Sequence, residues 1–142
     1  RVYNSANISC ANNTATVKTF DTERYDTDAI HSTATNTSRL TIPTGFAGRY
    51  LMIGHIVTAG GTDYSRIQVR VTLNGATQLA MVEVTPTTFS TATRLSIATI
   101  WNLAAADYVE LFVLQENTAA AARNVLTDAS DSPEFAIALL GA

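Results

Sequence analysis

Hydrophobic and polar residues alternate with a period of two along much of the chain, most cleanly over residues 66–73. Ile67, Val69, Val71 and Leu73 alternate there with Arg66, Gln68, Arg70 and Thr72. Successive side chains of a strand point to opposite faces, so this run predicts a half-buried antiparallel strand. Asn74-Gly75 follows directly. Both residues tolerate positive φ, as a two-residue type I′ turn requires, so a tight hairpin is predicted. Its return strand covers residues 76–84 and stops before Pro86. The same pattern predicts strands over 15–20, 39–42, 49–57, 93–101, 107–116 and 134–140. Pro43-Thr44-Gly45, Gly60-Gly61 and Asp131-Ser132-Pro133 separate them. Short strands with such breaks read as an all-β, antiparallel sandwich or barrel. The Ala-rich stretch 118–126 falls short of the ~12–15 residues a lone helix needs, so it reads as a loop with room for one helical turn. Residues 1–13 alternate weakly and read as an N-terminal arm or edge strand, leaving 14–142 as one domain.

Two strands are apolar on both faces. In 49–57, Tyr50, Met52, Gly54 and Ile56 share one face, while Leu51, Ile53 and Val57 share the other with His55. In 107–116, Val109, Leu111 and Val113 oppose Tyr108, Phe112 and Leu114. A two-layer sandwich has one interior, so the second apolar face needs another cover. With no helix to supply it, the expected cover is another copy of the chain.

Composition narrows the function. The chain has 142 residues, of which 46% are hydrophobic and 15% charged, with a net charge of −3. That length supports one domain with a real core. The charge offers no footprint for nucleic acid. The longest apolar run is too short to span a membrane. Thr and Ala each occur 22 times, against one lysine, Lys18, and eight arginines. The single cysteine, Cys10, has no intrachain partner for a disulfide and reads as a small reduced strand residue.

The order of local motifs is similar to that of a known superfamily. Residues 20–28 (Phe-Asp-Thr-Glu-Arg-Tyr-Asp-Thr-Asp) precede Ser38-Arg39-Leu40-Thr41-Ile42-Pro43 and Gly48-Arg49-Tyr50. Leu73-Asn74-Gly75, residues 106–111 (Ala-Asp-Tyr-Val-Glu-Leu) and Ser132-Pro133-Glu134-Phe135 follow in order. The set resembles the globular heads of the complement/tumour necrosis factor superfamily over residues 20–140, particularly its stand-alone bacterial and phage members. Ala106 stands where the family usually has glycine. The resemblance implies a two-sheet jelly roll that assembles as a homotrimer, with 49–57, 93–101 and 134–140 facing neighbouring subunits. The expected trimer contacts are Leu51, Ile53, His55, Val57 and Ile100. Phe112 and Leu114 mark an expected second contact surface.

No catalytic or metal site is expected. Asp26-x-Asp28, near Asp21 and Glu23, offers the oxygen ligands calcium prefers but lacks the spacing of an EF-hand, and reads as a solvated acidic turn. His31 and His55 with one cysteine make no usual zinc set. There is no Gly-x-Ser-x-Gly elbow and no phosphate-cradling loop, so no enzyme and no cofactor are expected. Trp101 alternates with Leu95 and Ile97 and reads as core or interface. The leading expectation is a phage structural protein. It would be a trimeric decoration (cement) protein on the virion's capsid surface, made in the host cytoplasm and bound to the major capsid protein at threefold positions. Arg1, Val2, Tyr3 and Ile8 would anchor it. The alternative is the tip domain of a tail fibre or spike, with loops 58–65 and 85–92 contacting a host receptor or glycan.

Overall fold

The computed structural model describes residues 1–85, 92–127 and 133–141. Twelve strands are formed among them: β1 (Val2–Tyr3), β2 (Ile8–Cys10), β3 (Thr16–Val17), β4 (Thr22–Glu23), β5 (Arg39–Thr41) and β6 (Gly48–Thr58), then β7 (Tyr64–Leu73), β8 (Thr77–Val84), β9 (Thr93–Leu103), β10 (Tyr108–Asn117), β11 (Arg123–Val125) and β12 (Glu134–Gly141). All pair antiparallel in two sheets. The larger runs β2-β11-β6-β12-β1-β4, with β9 on the other side of β6. The smaller runs β3-β10-β7-β8, with β5 also on β10. Pro86 and the 131–132 part of the third turn cluster lie outside the described residues, as does most of the 85–92 loop.

The period-two segments form the long strands. Strand β6 pairs with β9 in unbroken register from Gly48↔Leu103 to Thr58↔Thr93. Tyr50, Met52 and Ile56 of β6 face Val69, Val71, Val109, Leu111 and Val113 of the smaller sheet in one core. Gly54 sits against Leu111 of the smaller sheet. A Cβ there would stand 2.5 Å from Leu111 Cδ1, so only glycine fits without repacking. Phe20 and Phe135 stack at 6.2 Å between ring centres.

The hairpin turn is as the sequence predicts. Asn74 and Gly75 have φ of 53° and 70°. Ala76 N donates to Leu73 O at 3.1 Å. The Asn74 side chain also secures the neighbouring turn, donating to Asp107 Oδ1 at 2.8 Å and accepting from Tyr108 N at 3.0 Å. In that turn Ala106 has φ of 69°, the left-handed region where a Cβ costs about 1–2 kcal/mol and glycine costs little. Glycine's greater freedom in the unfolded chain offsets part of this. Ala106→Gly should therefore stabilise the fold by about 0.5–1 kcal/mol. The reading is a higher urea midpoint at unchanged slope.

Residues 1–13 supply two strands of the larger sheet and then bond to Gln115 of the smaller one. Strand β1 lies between β12 and β4, and β2 is the terminal strand beside β11. Val2 and Cys10 are fully buried, and Arg1 pairs with Glu134. Of the expected anchor residues, Val2 is thus enclosed in the sheet, whereas Arg1 is exposed and Ile8 lies on the terminal strand β2. Strand β1 is hydrogen-bonded on both sides, whereas β2 pairs on one side only, with β11.

The stretch 118–126 also differs from expectation. It turns at Thr118 and Ala119 and then forms β11, which pairs with β2 and, through Val125, with Thr58. A buried amide network holds it. Gln115 Nε2 donates to Cys10 O and Ala121 O, each at 3.1 Å. Asn117 Nδ2 donates to Gln115 Oε1 and Ala121 O, each at 2.7 Å.

Candidate functional site

The outward face of β6 and its two neighbours forms a grid set by register. Leu51 lies between Ile100 and Ala138, Ile53 between Ala98 and Ala136, and His55 between Ser96 and Glu134. The alanines on both flanking strands leave the Ile53 side chain standing clear. Ile53 is 45% exposed and Ile100 56%, with Leu51 half-buried. Leu140, at the irregular end of β12, is 55% exposed. The first two rows carry no charge. Arg49 flanks them at one end and Glu134 at the other. Such a contiguous apolar face is unusual on a monomer's surface.

Not every expected contact residue belongs to it. Val57 shares the parity of Leu51 and Ile53 but is 2% exposed, so the chain itself covers it. His55 Nδ1 meets Ser96 Oγ at 2.9 Å, while its Nε2 is buried and has no hydrogen-bond partner among the described residues. On the smaller sheet Leu114 is buried and Phe112 half-buried. The reason is local. Gln68 and Arg70 of β7 stand opposite Leu114 and Phe112 and bond each other, Arg70 Nε donating to Gln68 Oε1 at 3.1 Å, while Arg66 reaches across β10 to Asn13 Oδ1 at 3.0 Å and Glu116 Oε2 at 2.9 Å. The second apolar face is thus largely closed by polar side chains of the same chain. Trp101 is 45% exposed at the end of β9, in register with Tyr50 and Leu139.

Beside the apolar face is a cavity of about 330 Å³. Leu40, Tyr50 and Ile137 line it together with the acidic turn, including Asp26 and Asp28. The carboxylate of Asp26 is already committed. It accepts from the backbone N–H of Ile30 at 3.0 Å and His31 at 2.8 Å. Asp26 therefore shapes the turn. No group of three or more His, Cys, Asp or Glu side chains among the described residues is placed to hold a metal. His31 closes the turn's far side, its ring nitrogens 3.0 Å from Glu23 Oε1 and 3.2 Å from Thr37 O.

Partial burial pushes the Asp26 carboxyl upward, but the backbone N–H groups of His31, Ile30 and Asp28 outweigh it and hold the pKa below the ordinary value. A pKa lower in the folded than in the unfolded chain gives stability that is complete above the unfolded value, roughly 3.9, and is lost as pH falls through the folded one. Melting temperature measured from about pH 6 down to about pH 2 should therefore fall more steeply in the native chain than in Asp26→Asn. Parallel curves would remove Asp26 as the source.

The residue that sequence reasoning missed is Lys18. It is fully buried, with Nζ 2.8 Å from Cys10 Sγ. Its parity with Phe20, two residues on, was the available signal for an inward side chain.

No protein-family profile matches the chain, and no curated protein matches it. Its fold is similar to that of a solved structure, the globular domain of zebrafish complement 1qA protein. The TM-score is 0.60 and the identity 15%, over 96% of this chain and 98% of that one. Two antiparallel sheets in this arrangement are a jelly roll of the complement-head, tumour-necrosis-factor-like type, and the likeness extends to the fold alone.

Proposed function

We propose that the chain is a non-enzymatic structural module that works as a homotrimer, with its β6–β9–β12 face turned toward neighbouring subunits. The observation that carries this is the uncharged apolar grid of Leu51, Ile53, Ala98, Ile100, Ala136 and Ala138. In this reading the trimer decorates a viral capsid, where its symmetry matches threefold positions and one knob bridges several major capsid protein subunits. The contact to the capsid then falls to the trimer's outer surface.

A second reading, a fibre-tip domain that binds a host receptor or glycan, draws on the loop between β6 and β7. Arg123 Nη2 holds Asp63 at 2.7 and 2.9 Å, and Tyr64 Oη donates to Ala59 O at 2.9 Å. A loop braced in this way presents a fixed surface, which recognition favours.

The mass in solution, from light scattering behind a sizing column, tests the assembly. Three chains, unchanged on dilution, is the expected result, and a monomer overturns it. Cosedimentation with phage heads lacking the protein tests the setting. Trimers that stay in the supernatant sink the capsid reading and leave the fibre tip.

A further inference from the structure

The chain contains one lysine and one cysteine, and the fold buries them against each other. Cys10 ends β2, the terminal strand of the larger sheet. Lys18 follows β3, the terminal strand of the smaller sheet, and its N–H donates to Leu111 O at 2.8 Å. Among the described residues no carboxylate forms an ion pair with Lys18. Its ammonium is instead 2.8 Å from Cys10 Sγ. That distance is ordinary for N–H···O and close for the larger sulfur atom. It is also shorter than the roughly 3–3.5 Å at which bound groups are poised to react, so the two atoms need no approach to meet. Burial pushes the Lys18 pKa below that of an ordinary lysine, with Cys10 opposing the shift. Burial thereby raises the share of neutral, nucleophilic amine.

We propose that Cys10 and Lys18 form an oxidative crosslinking site, in which a peroxide converts the thiol–amine pair into a sulfur–nitrogen bridge. The amine first takes the thiol proton, and the thiolate attacks one peroxide oxygen. The O–O bond breaks, an S–O bond forms, and the departing hydroxide takes the proton from the ammonium to leave as water. Cys10 is then a sulfenic acid. The Lys18 lone pair attacks its sulfur, the S–O bond breaks as the S–N bond forms, and hydroxide leaves with a proton from nitrogen as a second water. Sulfur is oxidised by two electrons and one hydrogen peroxide is reduced to two waters. Sulfenic acids condense with nitrogen in the same manner elsewhere, giving sulfenamides. Access comes through local opening of β2 and β3, which are only three and two residues long. The bridge would staple the two sheets together along one edge.

The full chain is exposed to hydrogen peroxide, denatured, alkylated and mapped by mass spectrometry. The expected product has lost two hydrogens in a peptide pair joining Cys10 to Lys18. Its thiol resists alkylation, a dithiol reductant reverses the change, and the oxidised protein melts at a higher temperature. Oxygen added to the two methionines appears in other peptides. Lys18→Arg keeps a cation but removes the nucleophile, so the same treatment should carry Cys10 on to sulfinic acid. In the native chain, sulfinic acid with a free Lys18, or a thiol still fully alkylated at unchanged mass, overturns the proposal. That result stands without the variant should Lys18→Arg fail to fold.

Discussion

Deleting residues 1–10 should abolish cooperative folding. The segment supplies β1 and β2, so β12 loses one of its two neighbours and β11 loses its outer partner. Burial of Val2 is worth about 1.5–3 kcal/mol by itself. Asn4 Nδ2 no longer donates to Thr19 O, and Asp21 loses both the N–H and the hydroxyl of Ser5. Lys18 would then be left in the interior without the Cys10 sulfur, and a buried cation without a partner costs several kcal/mol. Against a total stability of roughly 5–15 kcal/mol for a domain, these losses suffice to unfold it. The check is a thermal or urea transition followed by far-ultraviolet circular dichroism. A truncated chain that melts like the full one would mean that β1 and β2 are a detachable arm after all.

The N-terminal residues, read from the sequence as an arm or an edge strand, show where sequence reading reaches its limit. Strands β6, β7, β9 and β10 run ten or eleven residues and alternate long enough for a period of two to stand out. The Asn74-Gly75 turn was legible because its backbone demands those residues. Strands β1, β2, β4 and β11 are two or three residues each. So short a run has no measurable period, and such strands exist only because a neighbour's backbone is there to pair with. In 118–126 the alanines favour helix locally, while pairing of Val125 with Ile8 and Thr58 imposes strand.

The contact faces follow the same division. The two-sided apolarity of β6 was plain in the alternation, and Leu51, Ile53 and Ile100 do share one outward face. The apolarity of β10 was equally plain, but its meaning depended on the polar side chains of Arg66, Gln68 and Arg70 across from it, a pairing no local pattern encodes. Lys18 was hidden for a related reason. A lysine is ordinarily exposed, and the sulfur that receives it lies on a strand of the other sheet.

Ile53→Glu should convert the proposed trimer to a monomer without unfolding the subunit. In the isolated chain Ile53 is 45% exposed, so a glutamate there meets water and changes subunit stability by less than about 0.5 kcal/mol. In an assembly that buries this face, three carboxylates enter a surface whose neighbouring positions are Ala98 and Ala136. None of those neighbours offers a positive charge or a hydrogen-bond donor. Each uncompensated buried carboxylate costs several kcal/mol, and every ~1.4 kcal/mol weakens association tenfold. The effect on a three-body equilibrium is therefore several orders of magnitude, enough to dissociate the complex at micromolar concentration. Met81→Glu is the control. Met81 is 47% exposed on β8 of the opposite sheet, so it makes the same change of charge at a similar exposure on the other face. Light scattering should then report one chain for Ile53→Glu and three for Met81→Glu, with the same circular dichroism for both. A trimer that survives Ile53→Glu and dissociates with Met81→Glu would move the interface to the smaller sheet. Since the two apolar rows of β6 would then face water, the covering surface would have to be sought in the partner and not in a second copy of the chain.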